Sequence, residues 1–117
     1  QIQSTPERLA AILALGNRSG QAVHAMLTFS ETFDLLKYGW EGAPLHDPTV
    51  IAYLLQPDLF EGRHCNVSIE TASELTMGMT VADYWHVTGK VRNATFLRNG
   101  NADGFYKLLI DRLARLP

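Results

Sequence analysis

The sequence has 117 residues, with ten Lys and Arg against twelve Asp and Glu and a net charge of −2. This length allows one small domain, and the charge excludes a strongly basic nucleic-acid surface or a polybasic membrane patch. The single cysteine excludes a disulfide within the chain. No apolar run approaches the ~18–20 residues of a membrane span. No secretory signal is visible, so we expect a cytoplasmic protein.

Two helices are predicted in the first third of the chain. The first spans about 6–15, because Ser4 or Thr5 is suited to cap it and a capping box begins at Ser4. The second spans about 20–38 and ends at Gly39. Its apolar side chains recur at helical spacing, which favours core packing. They are Val23, Met26, Leu27, Phe33 and Leu36.

A third helix is predicted over about 48–55, after a turn-rich segment. Asp47 is suited to cap this helix, and Pro48 to occupy its first position. The residues that follow are apolar nearly all round the helix. We therefore expect it to be buried.

The apolar period then changes from 3.6 to 2, which is typical of strands. Strands are predicted over about 65–71 and 75–83, as an antiparallel pair joined around Ala72–Ser73, and over 94–98. A last helix is predicted over about 102–115. The chain is thus an α/β protein without a complete βαβαβ unit, which indicates a piece of a larger sheet.

His46 and Asp47 are the residues best placed for chemistry, because they lie on a loop directly before a predicted buried helix. An imidazole donates a proton near neutral pH, and a carboxylate binds hard cations. The alternative is a capping aspartate beside a surface histidine. That alternative also fits the helix N-terminus, which repels cations.

Several motifs, in order along nearly the whole chain, resemble the C-terminal part of the inosine–uridine-preferring nucleoside hydrolases. They are Thr5–Arg8, Ala43–Thr49 with its His-Asp pair, Ala52–Leu54, Val67–Thr71, Glu74–Asp83 and Asn93–Thr95. Met77 departs from the Arg of many members. The larger departure is the missing aspartate-rich loop D-x-D-x-G-x-D-D with which the family begins.

The resemblance implies a Rossmann-like α/β fold in which helices accompany a small, partly antiparallel sheet. Residues 1–117 would be a C-terminal fragment of a single nucleoside hydrolase domain. We expect a cloned fragment, a proteolytic remnant or a partial gene product.

The reaction that the resemblance implies is hydrolysis of the N-glycosidic bond of purine or pyrimidine ribonucleosides to base and ribose, as in nucleoside salvage. The intact enzyme would use Ca²⁺, with Asp47 as one ligand and His46 as the general acid at the leaving base. Asp34 and Tyr38 precede His46 by twelve and eight residues and would face the nucleoside. The alternative for both is an exposed helix face.

We further expect the isolated chain to be inactive, because the aspartate cluster is absent. The expected partner is a nucleoside, with no nucleic acid and no membrane, and the protein is expected to be a homo-oligomer. The alternative function is a non-catalytic, truncated α/β module that acts through partner binding. Several aspartates after an upstream strand of the open reading frame would favour the enzyme.

Overall fold

The computed structural model describes residues 2–39 and 42–117, except for the side chain of Asp34. The chain divides into two units: Gln1–Leu59 with Gly100–Pro117, and Phe60–Asn99. None of the helices in the described residues has the length and apolar character needed to cross a membrane.

The first unit is helical, and its helices confirm the predicted ones with every boundary within two residues. They are α1 (Pro6–Leu13), α2 (Arg18–Tyr38), α3 (Asp47–Leu55) and α4 (Ala102–Leu113), with a short 3₁₀ segment at Pro57–Leu59. Gly39 ends α2 in the left-handed conformation with φ 68°, which glycine adopts without steric cost. α1 packs against α2 and α4, and α3 packs against α4.

Of the predicted helix caps, Thr5 is confirmed, whereas the capping box at Ser4 and the cap at Asp47 are wrong. Thr5 caps α1 by accepting a hydrogen bond from the Arg8 backbone N–H, whereas Ser4 is buried and bonds elsewhere. The N-cap of α3 is His46, which makes no side-chain cap bond, and Asp47 is already the first helical residue. In each case a residue suited to a local cap has tertiary or solvent contacts instead.

Asn17 caps α2 and also joins it to the end of α4. Its side-chain oxygen accepts from the Gly20 N–H at 2.8 Å, while its amide nitrogen donates to the Leu113 and Leu116 carbonyls at 2.8 and 2.9 Å. One side chain therefore satisfies orphan groups at a helix start and at a helix end.

The second unit contains a three-stranded sheet. Its strands are β1 (Phe60–Ile69), β2 (Thr80–Asp83) and β3 (Ala94–Gly100), in the order β2–β1–β3. β1 and β2 pair antiparallel, from Asn66 opposite Asp83 to Ile69 opposite Thr80, as the sequence predicts. β1 begins five residues earlier than predicted.

The predicted strand over 75–83 is only half right, because residues 75–79 lie in the connection between β1 and β2. The carboxylate of Glu70 accepts from the backbone of Ala72 and Ser73, and these bonds lower the pKa of Glu70. The Gly78 N–H donates to the Glu70 carbonyl, and Gly78 has φ 82°. These local bonds override the apolar alternation.

The core of the first unit lies where α1, α4 and the segment before α3 meet. Ile12 and Phe105 are among its most buried side chains. The other buried apolar residues of this unit are Ile2, Leu9, Ala43, Leu45, Ala52, Leu59, Tyr106 and Leu113.

The helices that were predicted to be buried expose much of their apolar surface. On α2, Phe29 and Leu36 are 79% and 83% exposed, and on α3 Leu54 is 72% exposed. Val23 and Leu27 alone of the predicted core stripe are half-buried. We define the exposed apolar face as the exposed side chains of these two helices, namely Met26, Phe29, Phe33, Leu36, Val50, Ile51 and Leu54. Core packing of the α2 stripe and burial of α3 are not found among the described residues. The exposure of Met26, Phe33 and Leu36 instead fits a fragment of a larger sheet, whose helices lack their cover.

We predict that the 117-residue chain self-associates through the exposed apolar face, because a soluble monomer rarely leaves so many large apolar side chains open to water. Sedimentation velocity at micromolar concentration is expected to show dimers or larger species. The double substitution Leu36→Lys with Leu54→Lys is expected to shift the chain toward monomer. Leu75→Lys is the matched control, since Leu75 is exposed but lies in the β1–β2 connection. A compact monomer before any substitution would contradict the prediction.

Tyr106 carries a buried hydroxyl that has no hydrogen-bond partner among the described residues. Its ring lies beneath the Arg8 guanidinium at 4.6 Å and packs edge-to-face on Phe105 at 5.3 Å. Burial raises the pKa of Tyr106 to about 12, with Arg8 lowering it and Glu31 raising it. The ring is therefore well packed, whereas the hydroxyl bears an unrecovered desolvation cost.

We predict that Tyr106→Phe leaves the free energy of unfolding unchanged or raises it by about 1 kcal/mol, because it removes an unsatisfied group and keeps the ring. Urea denaturation measures this, with Tyr106→Ala as the control that costs ~3–5 kcal/mol. The unfolded chain ionises first, so the parent loses stability as the pH rises above the ordinary tyrosine value of about 10. The Phe variant lacks that loss. A drop of several kcal/mol for Tyr106→Phe would show that the hydroxyl is bonded.

Candidate functional site

The loop that carries His46 and Asp47 is held by a short antiparallel pairing with the start of the chain. The Ser4 N–H donates to the Ala43 carbonyl at 3.0 Å, and the Leu45 N–H donates to the Ile2 carbonyl at 2.9 Å. Gln3 and Pro44 face each other between these bonds. The segment 43–45 leads directly into His46, so this pairing fixes where the His-Asp pair begins.

Gly42 permits this close approach of the two backbones. It is buried and has φ +155°, a conformation that L side chains rarely adopt. A Cβ at this position would overlap the Ser4 carbonyl oxygen. Any side chain at position 42 would therefore push residues 43–45 away from Ser4.

His46 and Asp47 are both exposed and lie at the edge of an open pocket. Leu27 and Ser30 of α2 form another wall of it. The pocket has about 240 Å³, less than the ~300–1,000 Å³ of a typical small-molecule site. The described residues thus form a small, open pocket with an imidazole and a carboxylate at its edge.

Asp34 and Tyr38 continue the helix face that begins at this pocket. Ser30, Asp34 and Tyr38 are spaced by four residues on α2, so their backbone positions lie on one face. The side chain of Asp34 lies outside the described part of the structure. The Tyr38 side chain is 49% exposed, and its ring lies 5.0 Å from the Lys37 ammonium. Ser30, which lines the pocket, lies one helical turn before Asp34 and two turns before Tyr38.

Asp47 suits one position of a calcium site but cannot form such a site alone. Its carboxylate offers the hard oxygen that Ca²⁺ prefers, whereas Ca²⁺ takes about 6–8 oxygen ligands. Among residues 2–39 and 42–117, no group of three or more His, Cys, Asp and Glu side chains is arranged to hold a metal. The donor set of the described residues is therefore incomplete.

Sequence reasoning missed Ser4 and Glu31, which lie behind the His-Asp loop. The Ser4 hydroxyl donates to the Glu31 carboxylate at 2.6 Å, and the Ala43 N–H donates to the Ser4 oxygen at 3.0 Å. Ser4 is fully buried, at 0% exposure. Its partners are 27 and 39 residues away in the sequence. A local sequence pattern can therefore suggest a helix cap at Ser4 but cannot reveal these bonds.

Comparison with known proteins identifies relatives over nearly the whole chain. The sequence profile of the inosine-uridine preferring nucleoside hydrolases matches residues 1–107. An uncharacterised protein of Schizosaccharomyces pombe is 49% identical over 117 residues, which are 100% of this chain and 38% of that protein. The pyrimidine-specific ribonucleoside hydrolase RihA of Shewanella baltica is 47% identical over 114 residues, 97% of this chain and 36% of the enzyme.

Two solved structures show the same fold. A purine-preferring ribonucleoside hydrolase from Gardnerella vaginalis superposes with a TM-score of 0.76 at 20% identity, over 100% of this chain and 38% of that one. A plant nucleoside hydrolase gives a TM-score of 0.79 at 16% identity, over 97% and 38%. This chain therefore spans less than two-fifths of the length of the proteins that it matches.

Proposed function

The chain belongs to the inosine-uridine preferring nucleoside hydrolase family, and we propose that the whole protein that carries it hydrolyses the N-glycosidic bond of ribonucleosides. Water adds to the anomeric carbon, the bond from that carbon to the base nitrogen breaks, and the base leaves with a proton. The products are the free base and ribose. The observation that carries this proposal is the His46-Asp47 pair at the edge of the α2 pocket, in a chain matched by the family profile over residues 1–107.

His46 is the proposed general acid. Its imidazole is exposed at the pocket edge, where it can reach a bound ligand, and imidazole exchanges protons near neutral pH. Proton donation to the base nitrogen lowers the barrier because the transition state resembles an oxocarbenium ion with a leaving group that gathers negative charge. On the same face of α2, Asp34 and Tyr38 are the proposed contacts for the nucleoside.

Asp47 is the proposed contribution of this chain to a calcium site. A bound Ca²⁺ would supply a Lewis acid for the sugar hydroxyls and would lower the pKa of an attacking water. Further ligands would have to join Asp47, because no cluster of His, Cys, Asp and Glu side chains that could hold a metal forms among the described residues. For the same reason the 117-residue chain alone is expected to release no base.

Pyrimidine ribonucleosides are the substrates to test first, since RihA, at 47% identity, is named pyrimidine-specific. The whole protein is expected to release base from uridine or inosine in the presence of calcium, as measured by reducing-sugar assay and chromatography of the free base. If no ribonucleoside is hydrolysed, the alternative of a non-catalytic module that binds a partner takes its place.

Asp47→Ala in the whole protein is expected to weaken calcium binding and nucleoside binding together, each by more than about 10-fold, because the charge of the ligands sets calcium affinity. Calorimetry with calcium alone gives the first value, and KM gives the second. Asp58→Ala is the matched control, as an exposed acid in the first turn of the 3₁₀ segment. If Asp47 serves only the helix dipole, its removal costs less than about 1 kcal/mol of stability and leaves calcium affinity intact.

His46→Ala is expected to lower kcat on uridine or inosine by ~10²–10⁴-fold, the usual contribution of a positioned acid, with calcium affinity nearly unchanged. The loss is expected to shrink on a nitrophenyl riboside, whose leaving group departs without protonation. His64→Ala is the control, as an exposed histidine on β1. Full activity of His46→Ala would defeat the assignment, and an equal loss on both substrates would remove its role as the acid.

A further inference from the structure

We propose that Ser4 is the positioning residue of this site, acting as a clamp between the His-Asp loop and α2. The expected effect on kcat rests on the proposed function, whereas the expected effect of Ser4 on the position of the loop does not. Two elements carry all four candidate site residues: the segment 43–47 carries His46 and Asp47, and α2 carries Asp34 and Tyr38. One fully buried side chain bonds to both elements.

The Ser4 hydroxyl has two acceptors within hydrogen-bond distance, the Glu31 carboxylate at 2.6 Å and the Ala43 carbonyl at 3.2 Å. The shorter distance, to Glu31, is typical of a charge-assisted bond. The oxygen accepts from the Ala43 N–H at 3.0 Å, and the Ser4 backbone N–H donates to the Ala43 carbonyl at 3.0 Å. Ala43 is therefore held by both its donor and its acceptor, three residues before His46.

Glu31 transmits this hold to α2. Its carboxylate reaches back to Ser4, and its neighbour Ser30 lines the pocket beside His46 and Asp47. The α-helix is rigid over a few turns, so a bond at Glu31 fixes the positions one and two turns further on. Catalysis depends on such placement, because a displacement of about 1 Å costs ~10²-fold in rate.

Ser4 has a matched control in its neighbour. Thr5 also carries a hydroxyl, which accepts a bond from the Arg8 backbone N–H and bonds to the Glu7 carboxylate, both at the start of α1. Removing the Thr5 hydroxyl therefore costs stability through the start of α1. Any effect of Ser4→Ala beyond that of Thr5→Ala therefore reports on the clamp rather than on the loss of a hydroxyl.

The kinetic test uses the whole protein with uridine or inosine and calcium. Ser4→Ala is expected to lower kcat by about 10–100-fold, whereas Thr5→Ala stays within about 3-fold of the parent. On a His46→Ala background, Ser4→Ala is expected to lower kcat by less than it does in the parent, because His46 is one of the residues that Ser4 positions. Equal kcat for the Ser4 and Thr5 variants, or a full additional loss on the His46→Ala background, overturns the proposal.

Glu31→Ala provides a second route if Ser4→Ala fails to fold, since Glu31 is only half-buried. It is expected to lower kcat in the same direction, and less than additively with Ser4→Ala where both are measurable. Activity equal to that of the parent overturns the clamp.

Amide hydrogen exchange separates failure of the clamp from failure of the proposed function. The Ala43 and Leu45 amides are expected to exchange at least about 10-fold faster in Ser4→Ala than in Thr5→Ala, because both amides donate within the paired segment. This readout needs no substrate. Unchanged exchange overturns the clamp even if the protein hydrolyses nucleosides, and faster exchange supports the clamp even if it does not.

Discussion

The antiparallel pairing of residues 2–4 with residues 43–45 is the constraint on which the geometry of the first unit depends. α1 begins directly after the first segment, and the His-Asp pair and α3 follow the second. The register of the pairing is specified chemically, because Ser4 is buried and a buried hydroxyl without partners is costly. A slip of one residue would turn Ser4 to the opposite face and separate it from Glu31.

Elements governed by local chemistry were predictable from the sequence, and their burial was not. Gly39 ends α2 and Pro48 lies at the start of α3, because each acts on its own backbone. The apolar periodicity of α2 was equally clear, but it indicates which face favours burial and not what covers it. Leu36 belongs to this periodic pattern and is nevertheless 83% exposed. The strand prediction for residues 75–79 was wrong for another reason, because the hydrogen bonds of Glu70 impose a turn on a segment whose apolar residues alternate.

The candidate site shows the same division. Spacing alone left His46 and Asp47 divided between a catalytic pair and a capped helix start, and the motif resemblance singled them out. In the structure His46 is the N-cap without a side-chain cap bond, and Asp47 is an exposed acid in the first turn, an arrangement that fits both alternatives. The true role of Ser4 escaped prediction because a serine three residues before a glutamate already has a sufficient local explanation as a capping box. Its actual partners lie in other elements, which no local pattern specifies.

The proposed function requires two things that the described residues do not supply: cover for an apolar surface and further ligands for a metal ion. Among the described residues, nothing covers the exposed apolar face on α2 and α3, and no cluster of side chains that could hold a metal forms around Asp47, the proposed ligand. Hydrophobic burial and ion coordination are independent demands, so one need not accompany the other. Both are met at once if further chain packs against these helices and brings carboxylates to the pocket. The length of the relatives, of which this chain spans 36–38%, allows for such chain. The Ser4 clamp needs no further chain, because Ser4 bonds to Glu31 and Ala43 within these 117 residues. It would therefore hold the His-Asp loop in place before any further ligands reach the pocket.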